Sequence, residues 1–262
     1  MPRLLRTLGL FWQTSLAAEM EYRANFFFAA VTSLFTVAGA VFTIAVLFQG
    51  GYAPGGYAWS EAMMVIAAYT VLDGVQQSLL MPNRMRITEM VREGLLDFVL
   101  LKPIDPQVMV STRHVSAWGL PNIAWGLGLL MYAGAIHEPT VAWWQYLAGL
   151  PVLGAGLVTL YAIGFLLATT TIWFVKMDNI TFAMQALVEA GRYPIGACPG
   201  GWRVLFTFLV PVAFMTTVPA EAILGTAGPA WVIGSFAVAA ALLFASRRFW
   251  QFALRHYTSA SS

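Results

Sequence analysis

Long stretches without a charged side chain are the feature that most constrains this chain. The clearest one runs from residue 24 to residue 48 and contains no Asp, Glu, Lys or Arg. The hydrocarbon core of a bilayer is about 30 Å thick, which a helix of about 20 residues can cross. Because backbone groups inside lipid must pair within their own segment, such stretches predict membrane-spanning helices.

The composition is wrong for a soluble globular protein of this length. Only 10% of the 262 residues are charged and 59% are hydrophobic, whereas soluble domains carry about 25% charged residues. The net charge is +2 and the basic residues are dispersed, which argues against a nucleic acid partner. We therefore predict a multi-pass integral membrane protein whose main surroundings are the lipid bilayer.

We predict an all-α fold with six membrane-spanning helices. The predicted spans are residues 24–48, 62–81, 115–136, 146–175, 204–220 and 229–245. With the N-terminus inside, the segments on the cytoplasmic side are 1–23, 82–114, 176–203 and 246–262. These four segments hold all 14 Lys and Arg. Because Lys and Arg concentrate in cytoplasmic loops, both termini are predicted to be cytoplasmic.

Two of these segments have the pattern of an amphipathic helix that lies on the membrane. Residues 1–23 place apolar side chains at helical spacing, with Arg6 and Gln13 on the opposite face. Residues 176–203 repeat apolar side chains at helical spacing from Ile180 to Val188, but this stretch is too short to span. Both are therefore predicted to be interfacial helices on the cytoplasmic side.

The segment 82–114 is about three times longer than a connector between neighbouring spans needs to be. Its predicted helix has an apolar stripe that comprises Ile87, Met90, Val91, Leu95 and Phe98. The candidates for contact with a cytoplasmic partner are Arg84, Arg86, Glu89, Arg92, Glu93, Gly94 and Asp97. A helix that merely lies on the membrane surface is the alternative.

Asp73 is the one acidic residue inside a predicted span, and Gln76 and Gln77 lie within about one helical turn of it. A charged side chain at the bilayer centre costs roughly 2.5–3.5 kcal/mol on insertion scales. The three residues therefore form a candidate lining of a translocation path or a proton site. A hydrogen-bonded contact between helices explains the same residues equally well, as does a position nearer the membrane interface.

Pro211 and Pro219 bracket part of the fifth predicted span. Proline removes a backbone N–H and bends a helix, so a gate or a re-entrant feature is one interpretation of this pair. A kink that the neighbouring helices tolerate is the other.

Signatures of catalysis are absent from the sequence. A nucleotide-binding P-loop ends in Gly-Lys-Ser/Thr, but Leu101 and Val175 precede the two lysines, Lys102 and Lys176. The three histidines, His114, His137 and His256, are far apart along the chain. We therefore predict no catalytic residue, no metal site and no cofactor in this chain, so any ATP would be bound by another chain.

The chain resembles the ABC-2 family of transporter permeases, in particular a group of small permeases of about this length. The resemblance runs over nearly the whole chain. It lies in EYRANF at 21–26, REGLLD at 92–97, LLKP at 100–103, RYP at 192–194 and VPVAF at 210–214, with Pro219.

This resemblance implies a single permease domain over residues 1–262, with six spans and no nucleotide-binding domain. It implies that residues 1–23 form a connecting helix and that the region from Arg84 to Asp97 forms a coupling helix. The expected partners are two cytoplasmic ATPase subunits carrying ATP and Mg, and a second copy or a related permease. Export across a bacterial cytoplasmic membrane is the expected activity. The short predicted outer loop at 221–228 leaves little room for the extracellular re-entrant helices of some relatives.

Three alternatives remain beside an exporter subunit. A secondary transporter or channel would couple to ions through Asp73, but such folds often contain internal repeats and none is visible here. A membrane enzyme lacks a nucleophile and base pair within the spans. A non-transporting assembly subunit is compatible with the sequence. The substrate is left open among a lipid, a glycolipid, a drug and a peptide.

Overall fold

The structure, a computed structural model, describes residues 9, 11–15, 17, 23–174, 185–186, 188–198 and 200–257. The regular structure among these residues is helical throughout, with no strand. An all-α membrane protein, as predicted, is confirmed.

Ten α-helices have both of their ends within the described residues. They are α1 (Arg23–Gln49), α2 (Trp59–Arg92), α3 (Leu96–Leu100), α4 (Pro106–Thr112), α5 (Leu120–Ala135), α6 (Trp143–Thr169), α7 (Gly200–Val204), α8 (Val212–Met215), α9 (Thr217–Leu224) and α10 (Pro229–His256). Four of them, α1, α2, α6 and α10, are long and apolar enough to cross a membrane. The third predicted span is the shorter α5, which follows a 3-10 turn at Ala117–Gly119.

The long helices define two ends of the bundle. We call them the outer end and the inner end, after the predicted outer and cytoplasmic sides of the membrane. The outer end carries the connections 50–58, 136–142 and 225–228, and the inner end carries 93–116. At the outer end, the Glu61 carboxylate accepts a hydrogen bond from the Ala58 N–H at 2.7 Å and caps the start of α2.

Helix α2 lies at the centre of the bundle. Residues 62–68 are fully buried, and α2 contacts α1, α5, α6 and α9. Helix α5 and the 3-10 turn before it approach α2 closely, because glycines lie where they meet. A Cβ on Gly119 would lie 2.1 Å from the Gly74 carbonyl oxygen, and one on Gly126 would lie 2.7 Å from the Val71 nitrogen. Helix α10 packs on α6 at the periphery.

The predicted second span, 62–81, is too short, because α2 continues to Arg92 as one helix of 34 residues. Pro82 would normally break a helix, since its ring nitrogen cannot donate to the carbonyl four residues earlier. Here a π turn at Gln76–Leu80 precedes the proline, and the Ser78 carbonyl accepts a hydrogen bond from the Ser116 N–H at 2.7 Å instead. The helix therefore passes the proline with that carbonyl satisfied.

The predicted apolar stripe in 82–114 is correct only for its first part. Ile87 and Val91 are buried, but Leu95 and Phe98 are exposed. Helix α2 ends because Gly94 adopts a left-handed conformation with φ of 70°. In the following helix, α3, a different set of positions faces the bundle, and Leu96 is buried in place of Leu95.

The prediction of one spanning helix over 204–220 is wrong. The chain breaks at Val210, which is extended, and residues 200–224 form a helical hairpin instead. The Gln145 side chain donates to the Leu224 carbonyl at the outer end. The other arm reaches the same end, where the Arg203 guanidinium donates to the Gly196 carbonyl. We call residues 200–224 the outer hairpin.

The tip of the outer hairpin lies deep in the bundle. A Cβ on Gly156 of α6 would lie 2.7 Å from the Met215 carbonyl oxygen. Gly156 follows Trp143 by thirteen residues, or about 20 Å along the helix. The hairpin therefore enters from the outer end and returns to it. The prediction that little room exists for a re-entrant element is also wrong, because the predicted fifth span itself forms one.

The predicted placement of 176–203 on the cytoplasmic side is wrong for residues 195–198 and 200–203. The 3-10 turn at Ile195–Ala197 packs against the turn at Pro54–Gly56, and a Cβ on Gly196 would lie 2.8 Å from the Tyr57 ring. Both turns belong to the outer end. Residues 175–184, 187 and 199 lie outside the described residues, so the predicted helix around Ile180 does too.

Part of the predicted N-terminal helix can be placed. Residues 9, 11–15 and 17 are helical, and the Trp12 indole N–H donates to the Thr112 carbonyl at 2.8 Å. The Arg113 guanidinium lies over the Phe11 ring, 5.2 Å from its centroid. The described part of this segment therefore lies against the inner end. The rest of 1–22 lies outside the described residues.

Candidate functional site

A polar cluster lies in the interior of the bundle where α2 meets α5. The Gln77 side-chain amide donates to the Asp73 Oδ2 at 2.7 Å. The Asn122 amide of α5 donates to the same oxygen at 2.8 Å. Gln76 is buried and makes no hydrogen bond with them, and its Oε1 has no partner among the described residues. The structure thus brings together two of the three residues grouped from the sequence and adds Asn122.

Arg192 extends this cluster along α2. Its guanidinium donates to the Tyr69 hydroxyl at 3.3 Å and lies 5.1 Å from the centroid of the Tyr69 ring. The Glu189 Oε1 lies 4.0 Å from its Nη2. Tyr69 follows Trp59 by ten residues, or about 15 Å along α2. Arg192 therefore lies about halfway across a bilayer core of about 30 Å. We call Tyr69, Asp73, Gln77, Asn122, Glu189 and Arg192 the midplane cluster.

The surface beside the midplane cluster is polar at membrane depth. The Glu189 side chain is 55% exposed, and that of Arg192 is 23% exposed. Ionised groups at this depth normally face the interior of a bundle or a water-filled cavity, because direct contact with lipid is costly. This side of the molecule is therefore unsuited to lipid and suited to water or another protein surface.

The sequence reasoning missed Tyr69, Asn122, Glu189 and Arg192. It placed Arg192 in the cytoplasm because basic residues were used to draw the segments. A usable signal was the spacing of Glu189 and Arg192, which puts opposite charges on one face of a helix. Asn122 carried a weaker signal as an amide inside a predicted span.

A second candidate site lies at the inner end, between α2, α3 and the two residues that follow α4, Arg113 and His114. It is a groove of about 380 Å³, lined among others by Arg86, Glu89, Glu93, Lys102 and Arg113. We call it the inner groove. The Arg86 guanidinium and the Glu89 carboxylate form an exposed ion pair at 2.6 Å. Exposed apolar side chains flank these charges, with Phe98 64% and Leu101 82% exposed.

Asn83 of α2 holds the backbone of His114, one wall of the inner groove, against that helix. The Asn83 amide donates to the Leu79 carbonyl at 2.6 Å and to the His114 carbonyl at 2.7 Å, and its Oδ1 accepts from the His114 N–H at 3.0 Å. Burial lowers the pKa of the His114 imidazole, and the neighbouring Arg113 and Arg86 lower it further. His114 is therefore neutral near pH 7, and the groove keeps its charge pattern there.

Six of the seven predicted coupling residues lie at the inner groove or at the turn into α3, and the seventh, Arg84, lies inside the bundle. Arg86, Glu89 and Glu93 line the inner groove, and Arg92 is exposed beside it. Gly94 provides the turn into α3, and Asp97 lies in the first turn of that helix. Arg84 differs from the others because its guanidinium points into the bundle, where a Cβ on Gly164 would lie 2.6 Å from its Nη1.

An ion pair connects the inner end to the last helix. The Arg247 Nη1 of α10 donates to the Asp105 Oδ1 at 2.9 Å, and its Nη2 donates to the other carboxylate oxygen. Burial alone would raise the pKa of Asp105. Hydrogen bonds from Arg247 and from the Val108 N–H outweigh burial, so the pKa of Asp105 lies below its usual value.

The two prolines have different positions in the outer hairpin. Pro211 immediately precedes α8 at the break in the chain, and Val210 before it is extended. Pro219 lies in the first turn of α9, where the backbone N–H would have no partner within the helix anyway. Pro211 therefore marks the change of direction at the tip, and Pro219 is accommodated without a break.

No group of three or more His, Cys, Asp or Glu that could hold a metal ion occurs within the described ranges. A family model described as "ABC-2 family transporter protein" matches residues 34–261, which is most of the chain. A search of curated proteins gives no match to this chain.

Proposed function

Because the chain belongs to the ABC-2 family of transporters, we propose that it is the membrane-spanning permease subunit of an ATP-driven exporter. Hydrolysis of ATP takes place on two separate cytoplasmic ATPase subunits, which hold the ATP and Mg. The chain pairs with a second copy of itself or with a related permease in a bacterial cytoplasmic membrane. Its own role is conduction and coupling, and it is not itself catalytic.

The continuity of α2 is the observation that supports this proposal best. The helix has 34 residues and is about 51 Å long, which exceeds the hydrocarbon core by about 20 Å. Asp73 of the midplane cluster and Glu89 of the inner groove lie sixteen residues apart on it, or about 24 Å. Movement at the groove is therefore transmitted to the cluster through one helix.

The inner groove is the proposed docking surface for the ATPase. It combines charges of both signs with exposed Phe98 and Leu101, and charged residues around apolar anchors are typical of a protein interface. Closure of the ATPase dimer on ATP would press on α3 and the end of α2. Binding of ATP and substrate would then shift the equilibrium between inward-open and outward-open arrangements.

We propose six crossings with both termini cytoplasmic, but with a different fifth crossing. The Trp173 ring packs on Phe249 near the inner end of α10, whereas Ile195 lies at the outer end. The chain thus passes from one end to the other between these two residues. The outer hairpin, 200–224, then leads into α10 without crossing. Arg192 and Arg203 leave the cytoplasmic set, and the other Lys and Arg among the described residues keep their predicted side.

The midplane cluster is the proposed wall of the translocation path. Glu189 and Arg192 present charge at membrane depth on a surface unsuited to lipid. A second permease copy facing this surface would enclose a polar path between the two. The chemical class of the substrate stays open among lipids, glycolipids, drugs and peptides.

The experiment that tests the proposal is affinity purification of the chain from native membranes in mild detergent, with co-purifying proteins counted by mass spectrometry. We expect stoichiometric recovery of a soluble P-loop ATPase. The double variant Glu89→Lys with Glu93→Lys reverses two charges of the inner groove and should abolish this recovery. Arg248→Glu changes an exposed charge outside the groove and should leave it intact. Recovery of the chain alone, where a known ABC complex survives the same procedure, would contradict the proposal.

Ion-coupled secondary transport through Asp73 is the second candidate. It is favoured by one observation, a carboxylate deep in the bundle that accepts two hydrogen bonds on a single oxygen. Substituting Asp73→Asn removes the titratable group and keeps a side chain of the same size. Under ion coupling, flux driven by an ion gradient would be lost. Under the exporter proposal, the ATPase activity of the assembled complex and its stimulation by the permease would largely persist.

A further inference from the structure

A cavity of about 650 Å³ lies between α2, α4, α6 and α10, apart from both candidate sites. One part of it is lined by apolar side chains only, including Val75, Leu79, Leu157, Val158 and Leu243. The other part is lined by the side chains that join α4 to α6 and α10. The cavity is therefore amphipathic, with an apolar part and a polar end.

The two parts lie at the depths of lipid tails and lipid head groups. Leu157 and Leu243 each follow the start of their helix by fourteen residues, which places them about 21 Å from the outer end. Arg247 lies about 27 Å from the start of α10 by the same measure. In a core of about 30 Å, the apolar part faces the tails of the inner leaflet, and Arg247 lies at the head-group boundary.

The polar end of the cavity is already ordered by hydrogen bonds. The Gln107 amide donates to the Tyr161 hydroxyl at 3.2 Å, and the Ser111 hydroxyl lies 2.8 Å from the same oxygen. Arg247 is held by Asp105, as described above, and also donates to the Gln107 Oε1 at 3.3 Å. Donors from three helices thus converge without requiring a ligand to order them.

Arg84 lies directly behind this polar end. A small second cavity contains Arg84 and shares Leu80, Ser111 and Tyr161 with the large one as common walls. Within the described part of the chain, the buried Arg84 Nη1 has no hydrogen-bond partner, and no carboxylate lies within 4.0 Å of the guanidinium. A buried cation without a counter-ion is costly, so the region carries an unbalanced positive charge.

The charge balance identifies the ligand. Arg84 and Arg247 contribute two positive charges, and Asp105 contributes one negative charge, so the polar end carries a net charge of about +1. We infer that this cavity binds one anionic phospholipid of the inner leaflet, with its phosphate at Ser111, Tyr161 and Arg247 near Arg84 and its acyl chains along Leu157 and Leu243. This lipid site is separate from the proposed translocation path and goes beyond the proposed function.

A lipid fits better than a free phosphate ion for a simple reason. A phosphate would fill only the polar end and would leave the apolar part at tail depth unused. An acyl chain fills that part and places the head group where the cations are. The site therefore distinguishes lipids by their charge and holds them by their tails.

The test is native mass spectrometry on the full-length protein, purified in detergent, stripped of lipid and titrated with dioleoyl phosphatidylglycerol or dioleoyl phosphatidylcholine. We expect one phosphatidylglycerol to bind more tightly than the neutral lipid. Arg84→Gln and Arg247→Gln should each weaken phosphatidylglycerol binding about fivefold, as expected for one cation near a charged head group. Arg84→Lys should keep the preference, and it provides a folded comparison if Arg84→Gln does not fold.

Two matched controls separate the cavity from the general protein surface. Arg248→Gln removes an exposed neighbouring charge, which stacks on Phe244 outside the cavity, and should leave binding unchanged. Leu243→Trp fills the apolar part and should lower binding of both lipids. Ile233→Trp adds the same ring on an exposed part of the same helix and should have no effect. Asp105→Asn removes the competing carboxylate and should strengthen phosphatidylglycerol binding.

Three results would overturn the inference. The first is equal binding of the two lipids, or the same affinity for phosphatidylglycerol in Arg84→Gln, Arg247→Gln and Arg248→Gln. The second is binding of inorganic phosphate alone in competition with phosphatidylglycerol, which would make this a simple anion site. The third is a change of oligomeric state in Leu243→Trp without a change in lipid binding, which would assign the cavity to contact between copies. None of these results depends on recovery of an ATPase.

Discussion

Helices α1 and α2 are both apolar and long enough to cross a bilayer, yet they occupy opposite positions. In the most apolar stretch of α1, 11% of the residues are buried, compared with 78% in that of α2. The less apolar of the two, α2, is the central one. In water the more apolar helix would be expected inside. In lipid, tails cover apolar surface as well as protein does, so close packing and hydrogen bonds decide which helix is central.

Small residues and amides supply what α2 has and α1 lacks. Gly74 lets α5 approach to backbone contact, and Asp73 accepts hydrogen bonds from Asn122 and Gln77. On α1, a Cβ added to Gly39 would meet nothing within 4 Å, and Thr36 bonds only to Thr32 of its own helix. Each of these differences can be removed by a single substitution.

The largest effect is expected from adding a methyl group where α2 and α5 meet. Gly119→Ala would place a Cβ 2.1 Å from the Gly74 carbonyl oxygen, and neither backbone can yield without separating the helices. We expect it to lower the free energy of unfolding by about 3 kcal/mol, at the upper end of overpacking costs. Gly39→Ala on α1 should be neutral or stabilising by up to about 1 kcal/mol, because Ala favours a helix. Unfolding in mixed micelles measures both, and equal effects would contradict the assigned helix contact.

A smaller effect is expected from removing a large apolar side chain. Leu72→Ala in α2, at 1% exposure, leaves a cavity that lipid cannot fill and should cost about 2 kcal/mol. Phe35 in α1 is 73% exposed, so its side chain contacts lipid in both the folded and the unfolded protein. Phe35→Ala should therefore change stability by less than about 0.5 kcal/mol. The same unfolding measurement tests the pair. A larger loss for Phe35→Ala would mean that another protein surface covers α1.

The next effect concerns hydrogen bonds within the membrane. Asn122→Ala removes the donor from α5 to Asp73 and should cost about 1 kcal/mol, in line with such bonds in other membrane proteins. Thr36→Ala on α1 removes a bond inside one helix and should be close to neutral. Thermal unfolding in the same detergent would distinguish them. A neutral Asn122→Ala would mean that the hydrogen bond to Asp73 contributes nothing measurable to stability.

The smallest effect is expected at the attachment of the peripheral α10. Asp105→Asn weakens the ion pair with Arg247. Because the side chains of both partners are about one-third exposed, the loss should cost less than about 1 kcal/mol. Since the pKa of Asp105 is lowered in the folded protein, this contribution is present above the unfolded pKa of about 3.9 and is lost as pH falls through the folded pKa. Unfolding at pH 7 and pH 5 should therefore give the same small difference between the wild type and the variant. A difference that disappears already at pH 5 would refute the lowered pKa.

The same comparison explains which parts of the fold the sequence could predict. Helix α1 is an uninterrupted apolar run, and its predicted bounds, 24–48, agree with Arg23–Gln49. The central helix was predicted to stop at residue 81 because Pro82 follows. The compensating hydrogen bond comes from Ser116, thirty-eight residues away, and no local pattern indicates it.

The sequence left the outer hairpin as one of two interpretations of Pro211 and Pro219, beside a tolerated kink in a spanning helix, for a related reason. Residues 204–220 are as apolar as a short span, and composition cannot tell a helix that crosses from two that enter and return. Pro211 was one expected site of a bend, but its consequence depends on contacts of the hairpin with Gly156 of α6 and with Tyr57 in the connection before α2. Arg192 was misplaced because a charge beside Tyr69 at the midplane contradicts the rule that basic residues remain in the cytoplasm.

The outer hairpin also bears on the order in which the protein is assembled during synthesis. Its first arm has ten helical residues, because a π turn at Leu205–Leu209 continues α7, and α8 and α9 have four and eight. All are too short to cross the bilayer, and the break at Val210 leaves backbone groups that lipid cannot satisfy. Its stability must come from the surfaces of α2, α6 and α10, which it contacts. Helices α2 and α6 precede the hairpin along the chain and α10 follows it, so one part of its binding surface has already left the ribosome when the hairpin emerges. A truncation that removes α10 but keeps residue 224 should therefore slow protease cleavage of the hairpin only in part, whereas a chain lacking α6 should leave it open to cleavage.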